Sequence, residues 1–375
     1  MRKLLLHFLI PNDTTCRLDK LTLFLSYFNI TRMSMIRQLL ASVILMTFFC
    51  QAWAQDVTFS QFYAAPLHIN PAFAGVTAGP RITLNYRNQW PSWPNAFQTY
   101  AATYEHPAEE LNSGFGVIVL QDNAGDGIYQ TLNLSGVYSY QAKVREDFYI
   151  KFGLQAGIIQ TQVDWQRLVF EDQLDPIFGR VGVDGESIPT EEIPPGSLTQ
   201  TDIDFSTGIL IYGGNFYGGV ALKHINRPDE RFFDVNSNLI SGLPTRISVH
   251  AGAEFSVYSG NTTGGTTFFS PNLLFEKQAS FTQLNLGMYV GHGAIYGGAW
   301  YRHTFENPDA VIGLIGYRYG ILKIGYSYDV TISELAASAP GGTHEVSVVI
   351  NVGDSKRLQR KNIDSRYSNC FKMIK

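Results

Sequence analysis

Period-two alternation constrains this chain more than any other feature. In Arg81 to Trp90 one face reads Arg81, Thr83, Asn85, Arg87, Gln89 and the other Ile82, Leu84, Tyr86, Asn88, Trp90. Phe148, Ile150, Phe152, Leu154, Ala156 and Ile158 alternate with Tyr149, Lys151, Gly153, Gln155 and Gly157. Leu284, Leu286, Met288 and Val290 oppose Gln283, Asn285 and Gly287, and Val346, Val348, Ile350 and Val352 oppose Glu345, Ser347 and Asn351. Side chains of a strand point alternately to its two faces, so each segment must sit in a sheet with one apolar and one polar side. The pattern predicts about fourteen strands, at 81–90, 97–105, 113–121, 128–141, 147–161, 202–212, 214–225, 245–256, 265–276, 280–290, 294–303, 310–319, 321–330 and 344–352. Most have the roughly 9–11 residues that a tilted strand needs to cross a bilayer.

The strand number is even, as an outer-membrane barrel requires for both ends to lie in the periplasm. Connection lengths split by parity. The long ones, 162–201, 226–244 and 331–343, follow odd-numbered strands, whereas turns at Gly213 and Gly320 follow even-numbered ones. Long loops outside and short turns inside are the barrel pattern. Aromatics gather near strand ends, among them Trp90, Trp93, Phe97, Tyr138, Tyr140, Phe148, Trp300, Tyr301, Tyr317, Tyr319, Tyr326 and Tyr328, as in interfacial girdles. Composition agrees: charged residues are 16% of the chain while mean hydropathy is only −0.04. Lipid-facing and lumen-facing residues cancel in that average. The expected fold is therefore all-β, a transmembrane antiparallel barrel of the bacterial outer membrane, with lipid as its first partner. A formal charge of −4 leaves no basic footprint for nucleic acid.

Five stretches follow. Residues 1–34 read as an upstream extension that begins before the true start, and 35–54 as a signal peptide. In the latter, Arg37 precedes the apolar run Leu39 to Cys50 and then Ala52-Trp53-Ala54, which places cleavage between Ala54 and Gln55. The mature chain then has 22 Lys/Arg, 30 Asp/Glu and the single cysteine Cys370, so no intrachain disulfide forms. Residues 55–80 are an N-terminal periplasmic strap or plug, 81–352 the barrel and 353–375 a basic periplasmic tail. Glycines on both strand faces, Gly153, Gly208 and Gly313 among them, relieve crowding in a barrel, and a lumen kept clear by small residues can admit a plug.

Catalytic and metal signatures are weak. The mature histidines form no H-E-x-x-H pattern, no cysteine pair exists for zinc, and neither a G-x-S-x-G elbow nor a P-loop is present. Ser248, His250 and His303 are the residues to inspect for a triad assembled across strands. Asp122-Asn123-Ala124-Gly125-Asp126-Gly127 lacks the downstream glutamate of a calcium loop and reads as a turn. The acidic, proline-rich 162–201 reads as a solvated external loop or a lid. The expectation is a non-enzymatic protein without metal or cofactor.

The mature chain opens with Phe59-Ser60-Gln61-Phe62-Tyr63 and Pro66-Leu67-His68-Ile69-Asn70-Pro71-Ala72-Phe73-Ala74-Gly75, followed by Asn85-Tyr86-Arg87-Asn88-Gln89-Trp90-Pro91. Further on stand Tyr217-Gly218-Gly219-Val220, His224-Ile225-Asn226-Arg227-Pro228, Gly325-Tyr326-Ser327-Tyr328-Asp329 and Gly342-Thr343-His344-Glu345-Val346. In these blocks, from about Phe59 to Val352, the sequence resembles the PorP/SprF family of type IX secretion membrane proteins. The resemblance implies an outer-membrane barrel of Bacteroidota that works with the periplasmic ring and motor proteins of secretion and gliding. In some members it also implies a partner in the C-terminal domain of a secreted surface adhesin. It marks Phe59, Gln61, Tyr63, Pro66, Leu67, Asn70, Pro71, Phe73, Gly75, Asn85, Tyr86, Arg87, Gln89 and Trp90 as candidate partner-binding positions. The rival reading is a passive channel or transporter for small solutes with the same architecture.

Overall fold

The computed structural model describes residues 56–93, 97–177, 179–180, 186–232, 242–257, 267–305, 308–333 and 341–354. The expected extension, the expected signal peptide with its Ala54–Gln55 junction, and the tail beyond Asp354 lie outside these residues.

The strands are β1 (Arg81–Gln89), β2 (Phe97–Ala108), β3 (Ser113–Ala124), β4 (Tyr129–Arg145), β5 (Phe148–Val163), β6 (Thr199–Gly213), β7 (Phe216–Lys223) and β8 (Arg246–Ala253). They continue as β9 (Phe255–Val257), β10 (Thr267–Gln278), β11 (Phe281–His292), β12 (Ile295–Thr304), β13 (Pro308–Tyr319), β14 (Leu322–Thr331) and β15 (Thr343–Asn351). Consecutive strands pair antiparallel, except that β8 and β9 pair with β10 and not with each other. β8 and β9 form one stave, because both pair with β10 in a single register, Gly252 with Asn272 and Phe255 with Phe269. The ladder is interrupted opposite Ser270-Pro271, where proline has no N–H to donate. The wall therefore has fourteen staves. It closes through β1 and β15, paired from Arg81–Asn351 to Gln89–Thr343, and closure leaves no edge strand exposed.

The two faces separate as the alternation requires. On β1, Arg81, Thr83, Asn85 and Arg87 are buried while Ile82 and Leu84 are exposed. On β11, Asn285 is buried and Leu286 and Met288 are exposed. Polar side chains point into the lumen and apolar ones outward, which suits a wall whose outer solvent is lipid. No helix among the described residues is long and apolar enough to cross a membrane.

The connections sort by end. The turn at 125–128 carries left-handed Gly125, Asp126 and Gly127, the conformation glycine adopts without strain. It shares one end of the barrel with the long connections 164–198, 224–245 and 332–342 and with one further tight turn, 279–280. The opposite end has the short turns at 109–112, 146–147, 214–215, 293–294 and 320–321. β4, β5 and β6 have 17, 16 and 15 residues, more than a bilayer crossing needs.

Candidate functional site

Residues 56–80 hold the centre of the barrel. Their partners come from all round the closed wall, so the segment lies inside it. Asp56 N–H donates to Gln278 Oε1 of β10 at 2.9 Å. Ser60 and Gln61 N–H donate to the Glu345 carboxylate of β15 at 2.7 and 3.0 Å. The Tyr63 hydroxyl lies 2.9 Å from that of Tyr296 on β12. Asn70 Nδ2 donates to the Ile209 carbonyl of β6 at 3.0 Å, and the Ala74 carbonyl accepts from Ser139 of β4 and Lys151 of β5 at 2.8 and 2.6 Å. Gly75 N–H reaches Glu105 of β2 at 3.1 Å. The chain thus descends from the long-loop end at Asp56 to the short-turn end, where β1 begins.

Local sequence explains this path. Pro66 and Pro71 each open a short helical turn, where proline's fixed φ fits and its missing N–H is not needed. Asn70 lies between them, and its side chain accepts from Ala72 N–H at 2.8 Å. No run is long enough for periodicity, because the segment is buried on every side: Ala64, Leu67, Ala72 and Ala74 are wholly enclosed. The wall gives way to it at Gly153 and Gly208. A Cβ at Gly153 would collide with the backbone of Pro71 and Ala72, and one at Gly208 with the Asn70 side chain.

Charges fasten the segment in two places. Four residues into it, Arg87 of β1 donates to Ser60 Oγ at 2.7 Å and pairs with Glu345 at 3.3 Å and Asp329 at 3.5 Å, and Arg302 reaches Asp329 at 2.9 Å. At its start, Asp56 lies 2.8 Å from His224 Nε2, whose Nδ1 lies 2.9 Å from Asp204. Arg246 pairs with Asp56 at 3.4 Å and also with Glu276. Burial alone would discharge His224, but the Asp56 charge and the hydrogen bonds to Asp204 and Asp56 outweigh it and push its pKa up to about 9. Burial likewise opposes ionisation of Asp56, yet the charge and hydrogen bond of His224 and the charge of Arg246 hold its carboxyl well below the usual range.

His224 owes its position to one backbone angle. Leu222 and Val220 face outward, so strict alternation would turn His224 outward too. Its φ of 55°, unusual for a non-glycine residue, reverses the parity as β7 ends. The ring is consequently buried against Asp56.

The family model described as type IX secretion system membrane protein PorP/SprF matches residues 52–350. This chain belongs to that family. No curated protein matches it in sequence. Solved structures similar to this PorP/SprF chain include a TodX deletion mutant, titled a monoaromatic hydrocarbon channel, at 10% identity and a TM-score of 0.41, covering 78% of this chain and 94% of that one. A Pseudomonas aeruginosa FadL homologue has 12% identity and a TM-score of 0.35 over 80% and 100% of the two chains. A porin mutant of Rh. blastica has 8% identity and a TM-score of 0.29 over 72% and 98%.

The PorP/SprF motif residues divide between the two sides of the wall. Phe59, Gln61, Tyr63, Pro66, Leu67, Asn70, Pro71, Phe73 and Gly75 all lie in the enclosed segment, and Asn85 and Arg87 face it from β1. Tyr86 lies outside, 5.1 Å from Tyr100, and Trp90 ends β1 near Trp93 and Phe97, with Gln89 beside it. Phe73 packs 5.0 Å from His250, whose Nε2 lies 3.1 Å from Asn70. Of the charged partners of the segment, the sequence singles out Arg87 alone. His224, Asp329 and Glu345 stand within matched motifs, and Arg246 and Glu276 occupy polar-face positions of predicted strands. Asp329, Glu345, Arg246 and Glu276 are charges on the polar face of their strands, a signal the alternation carries, whereas His224 breaks that parity. Ser248 and His250 line the lumen, where Ser248 donates to Glu276, whereas His303 sits on the outer face beside Tyr301. The three are not brought together.

Proposed function

We propose that this PorP/SprF protein serves type IX secretion as a closed, non-catalytic docking barrel of the bacterial outer membrane. One observation carries the reading: residues 56–80 fill the lumen and bond to staves all round the wall. A barrel filled in this way is poorly suited to passive transport and well suited to presenting rigid surfaces at both membrane faces. The short turns and the 353–375 tail would face periplasmic ring and motor proteins. The long loops would face the exterior, where the C-terminal domain of a surface adhesin is the partner that the family suggests. Export by the 35–54 signal peptide belongs to the same reading.

Affinity purification of the full chain from native outer membranes, with its partners identified, tests this. Recovery with periplasmic ring or motor proteins, or with a secreted adhesin, is expected. Recovery alone, together with free conductance in planar bilayers, would overturn the proposal in favour of a channel.

A further inference from the structure

At the long-loop end of the lumen is a hollow of about 260 Å³. Asp56, Val57 and His68 of the enclosed segment line it on one side, and β3, β4 and β5 supply Ile118, Asp122, Tyr129 and Ile159. Glu230 and Leu243, from the connection after β7, line it as well, and so do the basic residues Lys223, His224 and Arg246.

Its lining holds three acids, Asp56, Asp122 and Glu230, and three bases, Lys223, His224 and Arg246, but Asp204 and Glu276 stand behind those bases and tip the count to five acids against three. Of the cations around it, His224 is held by Asp56 and Asp204, and Arg246 by Asp56 and Glu276. Lys223 sits in the field of Asp56, Asp204 and Glu276. Asp122 accepts from Thr99 at 2.6 Å, and the cation that acts on it, Arg87, is already paired with Asp329 and Glu345. Glu230 makes no ion pair among the described residues. Burial, reinforced by the Asp56 charge, pushes its carboxyl up to about 7. Tyr129 feels both of these carboxylates. A third group points the same way. His68 is only 7% exposed and its Nε2 has no hydrogen-bond partner, although it borders the hollow. Burial and the nearby Lys223 and Arg246 charges keep this imidazole neutral, so it is able to act as an acceptor.

The acceptors are spread out. Among the described residues no three His, Cys, Asp or Glu side chains stand close enough to hold a metal ion. The complement is therefore an organic cation several atoms long. We propose that the hollow receives an ammonium or guanidinium group on an apolar stem, its charge held by Glu230 and Asp122 beside the Tyr129 ring and its stem against Ile118 and Leu243. Carboxylates supply charge-assisted hydrogen bonds to such a group, and an aromatic face adds cation–π attraction. The source is either a free amine or a Lys or Arg side chain of a peptide entering from the long-loop end. The inference goes beyond the docking reading and does not depend on it.

Calorimetric titration of the full barrel in detergent at pH 8 tests the site. The small probes are butylammonium and butylguanidinium, with butanol as the neutral isostere. The peptide probe is acetyl-Gly-Ser-Lys-Ser-Gly-amide, with its norleucine counterpart as control. Saturable one-to-one binding of at least one cationic probe, and of neither neutral control, is expected. Binding of the small cations alone identifies a free amine as the source, and tighter binding of the peptide identifies a side chain. Glu230→Gln and Asp122→Asn should each weaken binding about tenfold or more, while the heat-modifiable gel mobility of a folded barrel is retained. Failure of every cation to saturate the wild-type barrel, or equal binding by folded wild-type and Glu230→Gln barrels, would refute the site.

Discussion

Gly153 and Gly313 look alike in sequence, each a glycine within an alternating strand, yet their surroundings are opposite. At Gly153 an added Cβ meets the backbone of the enclosed segment, whereas at Gly313 no atom lies within 4 Å. Gly153→Val should cost about 1–3 kcal/mol by overpacking, since neither backbone can yield alone. Gly313→Val, on the outer face, should be nearly neutral. Denaturant unfolding of both variants in lipid vesicles checks the difference, and equal losses would mean that the segment does not press on β5. Leu286 gives a second residue-scale expectation. It is 43% exposed at mid-strand on the outer face of β11. Leu286→Lys should cost roughly 2–4 kcal/mol by placing a charge in lipid. The control is Leu286→Val, which keeps that face apolar, and a vesicle-unfolding difference below about 1 kcal/mol between the two would contradict the register.

Strands and the enclosed segment differ in how readably their physics is written. A stave touches lipid on one side and a polar lumen on the other, so every second residue reports its direction, and Ile82, Leu84 and Leu286 face outward as that pattern demands. Residues 56–80 have a single environment and hence no period, so Pro66, Pro71 and Asn70 announce turns but not their location. The sequence leaves strap and plug open for this reason. His224 was hidden for another, because a positive φ overrides its parity, and the alternation alone would send it outward. This latch predicts a pH dependence. His224 is about 5% exposed, and its pKa rises from an ordinary 6.5 to about 9 in the fold. A raised folded pKa contributes stability that is complete below about pH 6.5 and is lost as pH rises through about 9. Asp56, held ionised throughout that window, remains as its partner. Two and a half pKa units correspond to about 3 kcal/mol at most. Barrels titrated from pH 6 to 9.5 should therefore lose stability progressively between about pH 6.5 and 9 and level off above, and His224→Gln should flatten the profile. A wild-type profile identical to that of the variant would count against the latch.

For the whole molecule, the question is whether closing the wall also closes the lumen. Closure of β1 on β15 leaves no open edge and allows the barrel to stand in lipid, but by itself it leaves a polar bore. The bore is lined by Arg81, Arg87, Glu105, Lys151, Arg246, Glu276, Asp329 and Glu345, all nearly inaccessible to solvent. Charges so placed are tolerable only when paired, and the enclosed segment completes their pairing through the Ser60, Gln61, Ala74 and Gly75 backbone and the Asp56 carboxylate. Segment and wall therefore depend on each other, and the closed state is the stable one. The full chain reconstituted in planar bilayers should show no steady ion conductance. Deleting residues 56–75 removes the filling while Gly79 and Pro80 still lead into β1, so wide, charge-lined conductance should appear in whatever fraction of the variant folds. Asp56→Lys provides a milder arm, because it sets a cation against His224 and Arg246 without shortening the chain. Intermittent opening is expected there. A wild-type barrel that conducts as freely as the deletion variant would mean that the segment does not seal the lumen, and the docking reading would lose the observation that carries it.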